Sequence, residues 1–134
     1  MSSMETGFQM AKVLVVDDER DGAEGMAMFF RCCGHETATA YNGVEALEVS
    51  ASFKPDAVIL DIEMPLMDGF QAARAMRDRS TGSKPLLVAV TALAGNDVAE
   101  RAKSCGFDFY LAKPANLESL RALVEQASPA PLAG

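Results

Sequence analysis

Five side chains suited to metal or phosphoryl chemistry each follow a short apolar run of the sequence. Asp17 and Asp18 come directly after the first run, Asp61 after the third and Thr91 after the fourth, and Lys113 lies two residues after the fifth. Carboxylates that are brought together raise the pKa of at least one of them unless a cation intervenes. Mg²⁺ suits such a group, because it binds one or two carboxylates and leaves room for phosphate oxygens. The pattern predicts an acidic magnesium site if the fold brings these runs together.

The same residue types suit the transfer of a phosphoryl group. An ionised carboxylate beside Mg²⁺ is able to attack phosphorus, which gives an acyl phosphate. The transferring group carries spread negative charge, so it needs the metal on one side and cationic or hydrogen-bonding groups on the other. Lys113 would supply the positive charge, and Thr91 would supply a hydroxyl donor.

Each of these residues also has an ordinary structural explanation. Asp17 and Asp18 could place acids in the first turn of a helix, where the helix dipole favours them. Asp61 could open a turn, Thr91 could simply end a strand, and Lys113 before a proline is typical of a solvated side chain. A shared position at one edge of a sheet would favour the functional interpretation.

Apolar runs alternate with helical patterns along the whole chain. The runs are short and rich in β-branched residues, which predicts strands at residues 12–16, 35–41, 57–60, 85–90 and 107–111. The first helix has an apolar face formed by Met26, Phe29, Phe30 and Cys33. The next helices begin near Val44 and span residues 69–79 and 96–105, and Asn116 caps a last helix with an inner face of Leu117, Leu120, Leu123 and Val124.

This alternation predicts an α/β fold with a doubly wound, five-stranded parallel sheet and helices on both faces. The third run is wholly apolar, as expected of a strand buried on both sides. In such sheets the ligand site lies outside the carboxyl ends of the strands. The acids, the hydroxyl and the amine should therefore lie at one edge.

Length and composition indicate one domain. The chain has 134 residues with ordinary hydrophobic and charged fractions, and we predict a domain over residues 11–127, a disordered lead-in over 1–10 and a flexible tail or linker start over 128–134. The formal net charge is -7 and no run of Lys or Arg is present, so direct nucleic-acid binding is not expected.

The sequence also indicates the cellular location of the domain. No stretch approaches the roughly 20 apolar residues that cross a bilayer, so no membrane segment is expected. The three cysteines show no zinc spacing and no disulfide framework, which favours a reducing, cytoplasmic location.

Several motifs together resemble the receiver domain of bacterial response regulators, in the two-component signalling family. The matching stretches are Val13-Leu-Val-Val-Asp-Asp-Glu19, Ala40-Tyr-Asn-Gly-Val-Glu-Ala-Leu47, Asp56-Ala-Val-Ile-Leu-Asp-Ile-Glu-Met-Pro-Leu-Met-Asp-Gly69, Val90-Thr-Ala92 and Tyr110-Leu-Ala-Lys-Pro114. They extend over nearly the whole chain, and the combination is far more specific than any one of them. The resemblance implies the flavodoxin-like strand order 2-1-3-4-5.

The resemblance implies a role for each matching residue. Asp61 would accept the phosphoryl group, and Asp18, Asp61 and the backbone carbonyl of Glu63 would bind Mg²⁺, with Asp17 acting through water. Thr91 would bind a phosphoryl oxygen, and Lys113, placed by a cis bond to Pro114, would pair with the group. Tyr110 would be the aromatic switch residue that turns inward as Thr91 moves.

The resemblance also implies partners. The phosphoryl donor would be a phosphohistidine on a histidine kinase or a histidine phosphotransfer protein, and a downstream protein would bind the face made by the fourth helix, the fifth strand and the fifth helix. His35, the only histidine, falls at the start of the second strand, opposite the carboxyl-end edge, so we expect it to be either structural or solvent-facing. Glu63 and Leu93 would border the path of the hydrolytic water, which leaves the phosphate lifetime open.

Three alternatives remain. A magnesium-dependent phosphohydrolase with an aspartate nucleophile would have a second acid where Glu63 stands, but it would also need a cap domain. A pseudo-receiver that only binds partners would not need the full set of acids. The domain could also act within a hybrid histidine kinase rather than as a separate regulator.

Overall fold

The computed structural model describes residues 10–79, 84–93 and 95–127. Strands and helices alternate along the chain. They are β1 (Lys12–Val16), α1 (Arg20–Cys32), β2 (Glu36–Ala40), α2 (Gly43–Phe53), β3 (Ala57–Asp61), α3 (Gly69–Arg79), β4 (Leu86–Thr91), α4 (Asn96–Ser104), β5 (Phe109–Ala112) and α5 (Leu117–Gln126).

The five strands form one parallel sheet in the order β2-β1-β3-β4-β5. This confirms the predicted fold class and strand order. β3 lies at the centre of the sheet and all five of its residues are buried, because helices cover it from both sides. Its apolar sequence reflects that double coverage.

Alternate residues of each strand point into two separate cores. Leu14 and Val16 belong to the core under α2, α3 and α4, whereas Val13 and Val15 belong to the core under α1 and α5. The alternation follows from the two-residue period of a strand. The sheet is thus fixed on both faces, and its carboxyl-end edge is held rigidly by the strands that form it.

The helices bury narrower faces than their sequences predict. In α1 the fully buried residues are Ala23, Ala27 and Phe30, while the predicted face residues Met26 and Phe29 are only partly buried. In α5 Leu120 and Val124 are buried as predicted. Leu117 was expected on the inner face, but it is 40% exposed, because the first residue of α5 lies beyond the edge of the core.

Several predicted boundaries are wrong by one or two residues. β2 begins at Glu36 rather than His35, and β4 extends to Thr91. β5 begins two residues later than predicted, because the amide of Phe107 donates to the carbonyl of Ala102 and so closes the end of α4. β5 also ends one residue later than predicted, at Ala112, so Lys113 directly follows it.

His35 is buried at the amino end of the sheet, as predicted for a structural residue. Its Nδ1 accepts a hydrogen bond of 3.0 Å from the amide of Ala11, and its Nε2 lies 3.9 Å from a carboxylate oxygen of Glu125. The imidazole therefore joins the start of β1 to α5, far from the carboxyl-end edge.

The predicted lead-in and tail lie outside the described residues, except for Met10. Among the residues that the structure describes, no helix is long and apolar enough to cross a membrane.

Candidate functional site

The carboxyl ends of β1, β3, β4 and β5 place the predicted residues at one edge of the sheet. Asp61 and Thr91 are the last residues of β3 and β4, while Asp17 and Lys113 directly follow β1 and β5. Asp18 is the next residue along the chain and is exposed. Because neighbouring parallel strands end on the same side, residues far apart in sequence meet here, and the predicted convergence is confirmed.

Three carboxylates form a compact cluster at this edge. One oxygen from each of Asp17, Asp18 and Asp61 lies within 4.8 Å of the others. Oδ1 of Asp17 accepts a hydrogen bond of 3.0 Å from the amide of Glu19, which fixes the carboxylate against the β1–α1 turn. Since hard divalent cations prefer such oxygen ligands, the cluster is suited to Mg²⁺.

Lys113 brings a positive charge to two of these carboxylates. Its Nζ lies 3.1 Å from Oδ2 of Asp61 and 3.3 Å from Oδ2 of Asp17. The backbone amide of Lys113 donates to the carbonyl of Thr91 over 2.9 Å, and the bond from Lys113 to Pro114 is cis, as the resemblance implied. The lysine is therefore placed by backbone contacts with β4.

The site perturbs the ionisation of both partners. Burial raises the pKa of Asp61, and the hydrogen bond and charge of Lys113 oppose that rise only in part. Burial lowers the pKa of Lys113, but its contacts with Asp61 and Asp17 outweigh the burial, so that pKa lies above its usual value. Lys113 thus stays protonated, and Asp61 is a poorly hydrated, more basic carboxylate.

The β3–α3 loop encloses Asp61 from the other side. The amide of Glu63 donates to Oδ1 of Asp61 over 3.2 Å, and the amide of Gly69 donates to the carbonyl of Ile62 over 2.8 Å. A Cβ at Gly69 would lie 2.4 Å from the carbonyl oxygen of Asp61. Only glycine allows α3 to begin this close to the backbone of Asp61. The local sequence does not predict this close contact.

Thr91 and Tyr110 are linked through the backbone of one residue. The amide of Leu93 donates to Oγ1 of Thr91 over 3.1 Å, and the carbonyl of Leu93 accepts a hydrogen bond of 2.7 Å from the hydroxyl of Tyr110. Sequence reasoning considered only the side chain of Leu93 and missed this link. Backbone contacts of this kind leave no signal in residue type.

Partial exposure is expected of both Thr91 and Lys113 as residues of a ligand site, and this expectation is wrong for Thr91. The side chain of Lys113 is 34% exposed, but Thr91 has an exposed fraction of 0%, because it ends a central strand and lies under the β4–α4 turn. Tyr110 is half-buried and packs against the core on the α4 side of the sheet.

The comparisons with known proteins agree with this geometry. The model of the "Response regulator receiver domain" family matches residues 13–125. Response regulator MprA of Mycobacterium sp. (strain KMS) is 40% identical over 124 residues, covering 88% of this chain and 52% of the relative. Regulatory protein AtoC of Escherichia coli is 38% identical over 87% of this chain and 25% of its own length. The chain thus spans about a quarter to a half of these relatives.

Solved structures show the same architecture. Chemotaxis protein CheY4 of Vibrio cholerae superposes with a TM-score of 0.81 at 30% identity, covering 88% of this chain and 98% of that one. The receiver domain of the sensor histidine kinase PA1611 of Pseudomonas aeruginosa, which has a magnesium ion coordinated in its active site cleft, has a TM-score of 0.77 at 25% identity, covering 87% and 96%.

Fold, site and comparisons define a signalling domain of the receiver class. The chain belongs to the response regulator receiver domain family of two-component systems.

Proposed function

We propose that Asp61 accepts a phosphoryl group from a phosphohistidine on a histidine kinase or a histidine phosphotransfer protein, in a reaction that requires Mg²⁺. The observation that carries the proposal is the position of Asp61: a buried carboxylate at the strand edge, with Lys113 at 3.1 Å and a second acid beside it. A structural ion pair would not require three clustered carboxylates, which repel one another without a cation.

The reaction follows from the positions of the chain's own groups. A carboxylate oxygen of Asp61 attacks phosphorus, the bond between phosphorus and the histidine nitrogen breaks, and the electron pair stays on the imidazole. Lys113 and the hydroxyl of Thr91 then stabilise the phosphoryl oxygens.

Magnesium would neutralise the carboxylates and the developing phosphoryl charge. Asp18 and Asp61 would bind the ion directly, the backbone carbonyl of Glu63 would be a third ligand, and Asp17 would act through water. The cluster of three carboxylates fits this role. The division between direct and water-mediated ligands remains a prediction.

Phosphorylation would change partner binding through the residues that contact Leu93. If the hydroxyl of Thr91 moves toward the phosphoryl group, its hydrogen bond with the amide of Leu93 must change. Leu93 also accepts the hydrogen bond from Tyr110, so the face formed by α4, β5 and α5 would respond. This is a shift between two packings of that face, to which a downstream protein binds.

The domain would catalyse only its own phosphorylation and dephosphorylation. An aspartate-nucleophile phosphohydrolase remains the enzymatic alternative, and function within a hybrid histidine kinase remains the alternative context. The similarity to the receiver domain of the sensor histidine kinase PA1611 supports the hybrid-kinase alternative.

We also propose a cytoplasmic location for the domain. Direct binding of DNA is not expected, since a net charge of -7 repels phosphates.

Beryllofluoride, a phosphoryl mimic, tests the proposal without a partner protein. With Mg²⁺ present, it should shift the amide resonances of the site and of α4, and omission of Mg²⁺ should abolish the response. Multiple turnover of p-nitrophenyl phosphate would instead support the phosphohydrolase. A response to beryllofluoride that does not depend on Mg²⁺ would contradict the proposed site.

A further inference from the structure

The α3–α4 side of the domain carries positive charge in an otherwise acidic chain. Residues 69–107 include six basic side chains and three acidic ones, although the formal net charge of the whole chain is -7. The basic residues are Arg74, Arg77, Arg79, Lys84, Arg101 and Lys103, and the acidic ones are Asp78, Asp97 and Glu100. The charge is therefore unevenly distributed along the chain, and the basic stretch includes α3 and α4.

One of these basic residues already has a structural role. Arg77 donates to the carbonyls of Gly106 and Pro85 over 2.9 and 2.7 Å, and it forms an ion pair of 2.7 Å with Asp108. This residue joins α3 to β4 and β5 at the amino end of the sheet. Its charge is neutralised, so it is not available to a partner.

Arg74 and Arg101 lie between α3 and α4, where each contacts an uncharged group and not an acid. The guanidinium of Arg101, on α4, lies 4.2 Å from the ring centroid of Phe70, on α3. The guanidinium of Arg74, one turn after Phe70, lies 3.7 Å from Sγ of Cys105, one turn after Arg101. Each arginine thus reaches across to a neutral group of the other helix, and we call these two residues the arginine pair.

The arginine pair holds two like charges at the junction of two helices. Both residues are exposed, and neither forms an ion pair with an acid among the described residues. Contacts with a ring and a thiol orient the guanidinium groups without neutralising them. Two oriented, exposed guanidinium groups match carboxylate groups in geometry and charge.

We propose that the arginine pair is a docking site for an acidic protein segment, which presents one carboxylate to each guanidinium. The arginine pair bridges α3 and α4, so this partner would contact both helices. Nucleic acid fits less well, because favourable binding to a phosphate backbone needs several Lys or Arg contacts and the arginine pair supplies only two. This inference is independent of the phosphoacceptor function.

A decaglutamate peptide, titrated into isotope-labelled protein at low salt, tests the proposal. Amide shifts should saturate and should concentrate at Arg74, Arg101 and their neighbours on α3 and α4. A Ser or Gln peptide of the same length should have no effect. Exchange of either arginine for serine should weaken the apparent affinity about fivefold or more, and raised salt should weaken binding further.

Arg31→Ser is the matched control, because Arg31 is also an exposed arginine on a helix. It should leave the affinity for decaglutamate unchanged. Circular dichroism of Arg74→Ser and Arg101→Ser should match the wild type, since both residues are exposed; Arg74→Gln and Arg101→Gln serve as replacements if either serine variant unfolds.

Four outcomes would overturn the proposal. The first is the absence of saturable shifts at low salt, and the second is an equal loss of affinity in Arg31→Ser. The third is a DNA duplex that binds the arginine pair as tightly as decaglutamate does. The fourth is a concentration-dependent change of the same amides without peptide, because that would show a second copy of the chain to be the occupant.

Discussion

The hydroxyl of Tyr110 donates a hydrogen bond of 2.7 Å to the carbonyl of Leu93, whose own amide donates to Thr91. One backbone residue thus connects the hydroxyl at the end of β4 with the aromatic residue of β5. A change at Thr91 would therefore reach Tyr110 through two hydrogen bonds.

Thr91→Ala should weaken this connection at a small cost in stability. The variant leaves the amide of Leu93 without its acceptor under a buried strand end, so the free energy of unfolding should fall by about 1 kcal/mol. A partly exposed Thr91 would leave the stability nearly unchanged on this substitution, but the residue is fully buried. Amide shifts in α4 on addition of beryllofluoride should be smaller than in the wild type. Wild-type shifts in the variant would show that Thr91 does not transmit the signal.

His35 should make folding stability sensitive to pH. Burial lowers its pKa, an effect that Glu125 opposes and Arg121 reinforces. The unfolded chain therefore binds the proton more readily than the folded chain does. The stabilisation is fully present above the ordinary pKa of 6.5, and it is lost as the pH falls below that value, through the lowered pKa of the folded state.

Chemical denaturation at several pH values measures this effect. His35→Asn keeps an acceptor, its Oδ1, at the position of Nδ1 that the amide of Ala11 contacts. It removes the titration, so its free energy of unfolding should depend less on pH below 6.5. The same pH dependence in both proteins would rule out His35 as its source.

Glu63 should prolong the life of the phosphorylated state. Hydrolysis needs a water in line with phosphorus, and the exposed carboxylate of Glu63 brings negative charge toward an anionic group. Glu63→Gln should therefore speed dephosphorylation, because an amide can hold the water without that repulsion. The measurement is the decay of phosphorylated protein after removal of the donor at fixed Mg²⁺, with Glu48→Gln on α2 as the control. Slower decay in Glu63→Gln would mean that the carboxylate assists the water.

Arg77 should contribute to stability and leave the phosphoryl chemistry unchanged. Lysine keeps the charge but cannot donate simultaneously to Gly106, Pro85 and Asp108. The side chain is only 19% exposed, so Arg77→Lys should lower the free energy of unfolding by about 1–3 kcal/mol. Arg79→Lys, two residues along the same helix, should change it by much less. A similar loss in both variants would indicate a general effect of lysine in α3.

The sequence predicted the sheet and the edge where the site lies, because hydrophobic period and segment length identify strands and helices. Parallel pairing then brings Asp17, Asp61 and Lys113 together whatever the local details. What it did not predict depends on contacts between distant residues. The closeness of Gly69 to the carbonyl of Asp61 and the double role of Leu93 involve backbone atoms, which residue type does not report.

Boundaries and exposure were less accurate for a related reason. The amide of Phe107 could belong to the end of α4 or to the start of β5, and only its hydrogen bond with Ala102 decides between them. Leu117 has the residue type of a core position, but its place in the first turn of α5 leaves it 40% exposed. The local sequence determines whether a segment forms a helix or a strand. The burial of each residue depends instead on the neighbours that pack against it.

The most direct test of the central claim is to locate the phosphoryl group after incubation with acetyl phosphate and Mg²⁺. Intact-mass measurement should show one added phosphoryl group on the wild type and on Asp78→Asn, which alters an exposed acid on α3. Asp61→Asn should show none, although it should fold normally, because it removes a buried negative charge. Phosphorylation of Asp61→Asn at the wild-type rate would contradict the account.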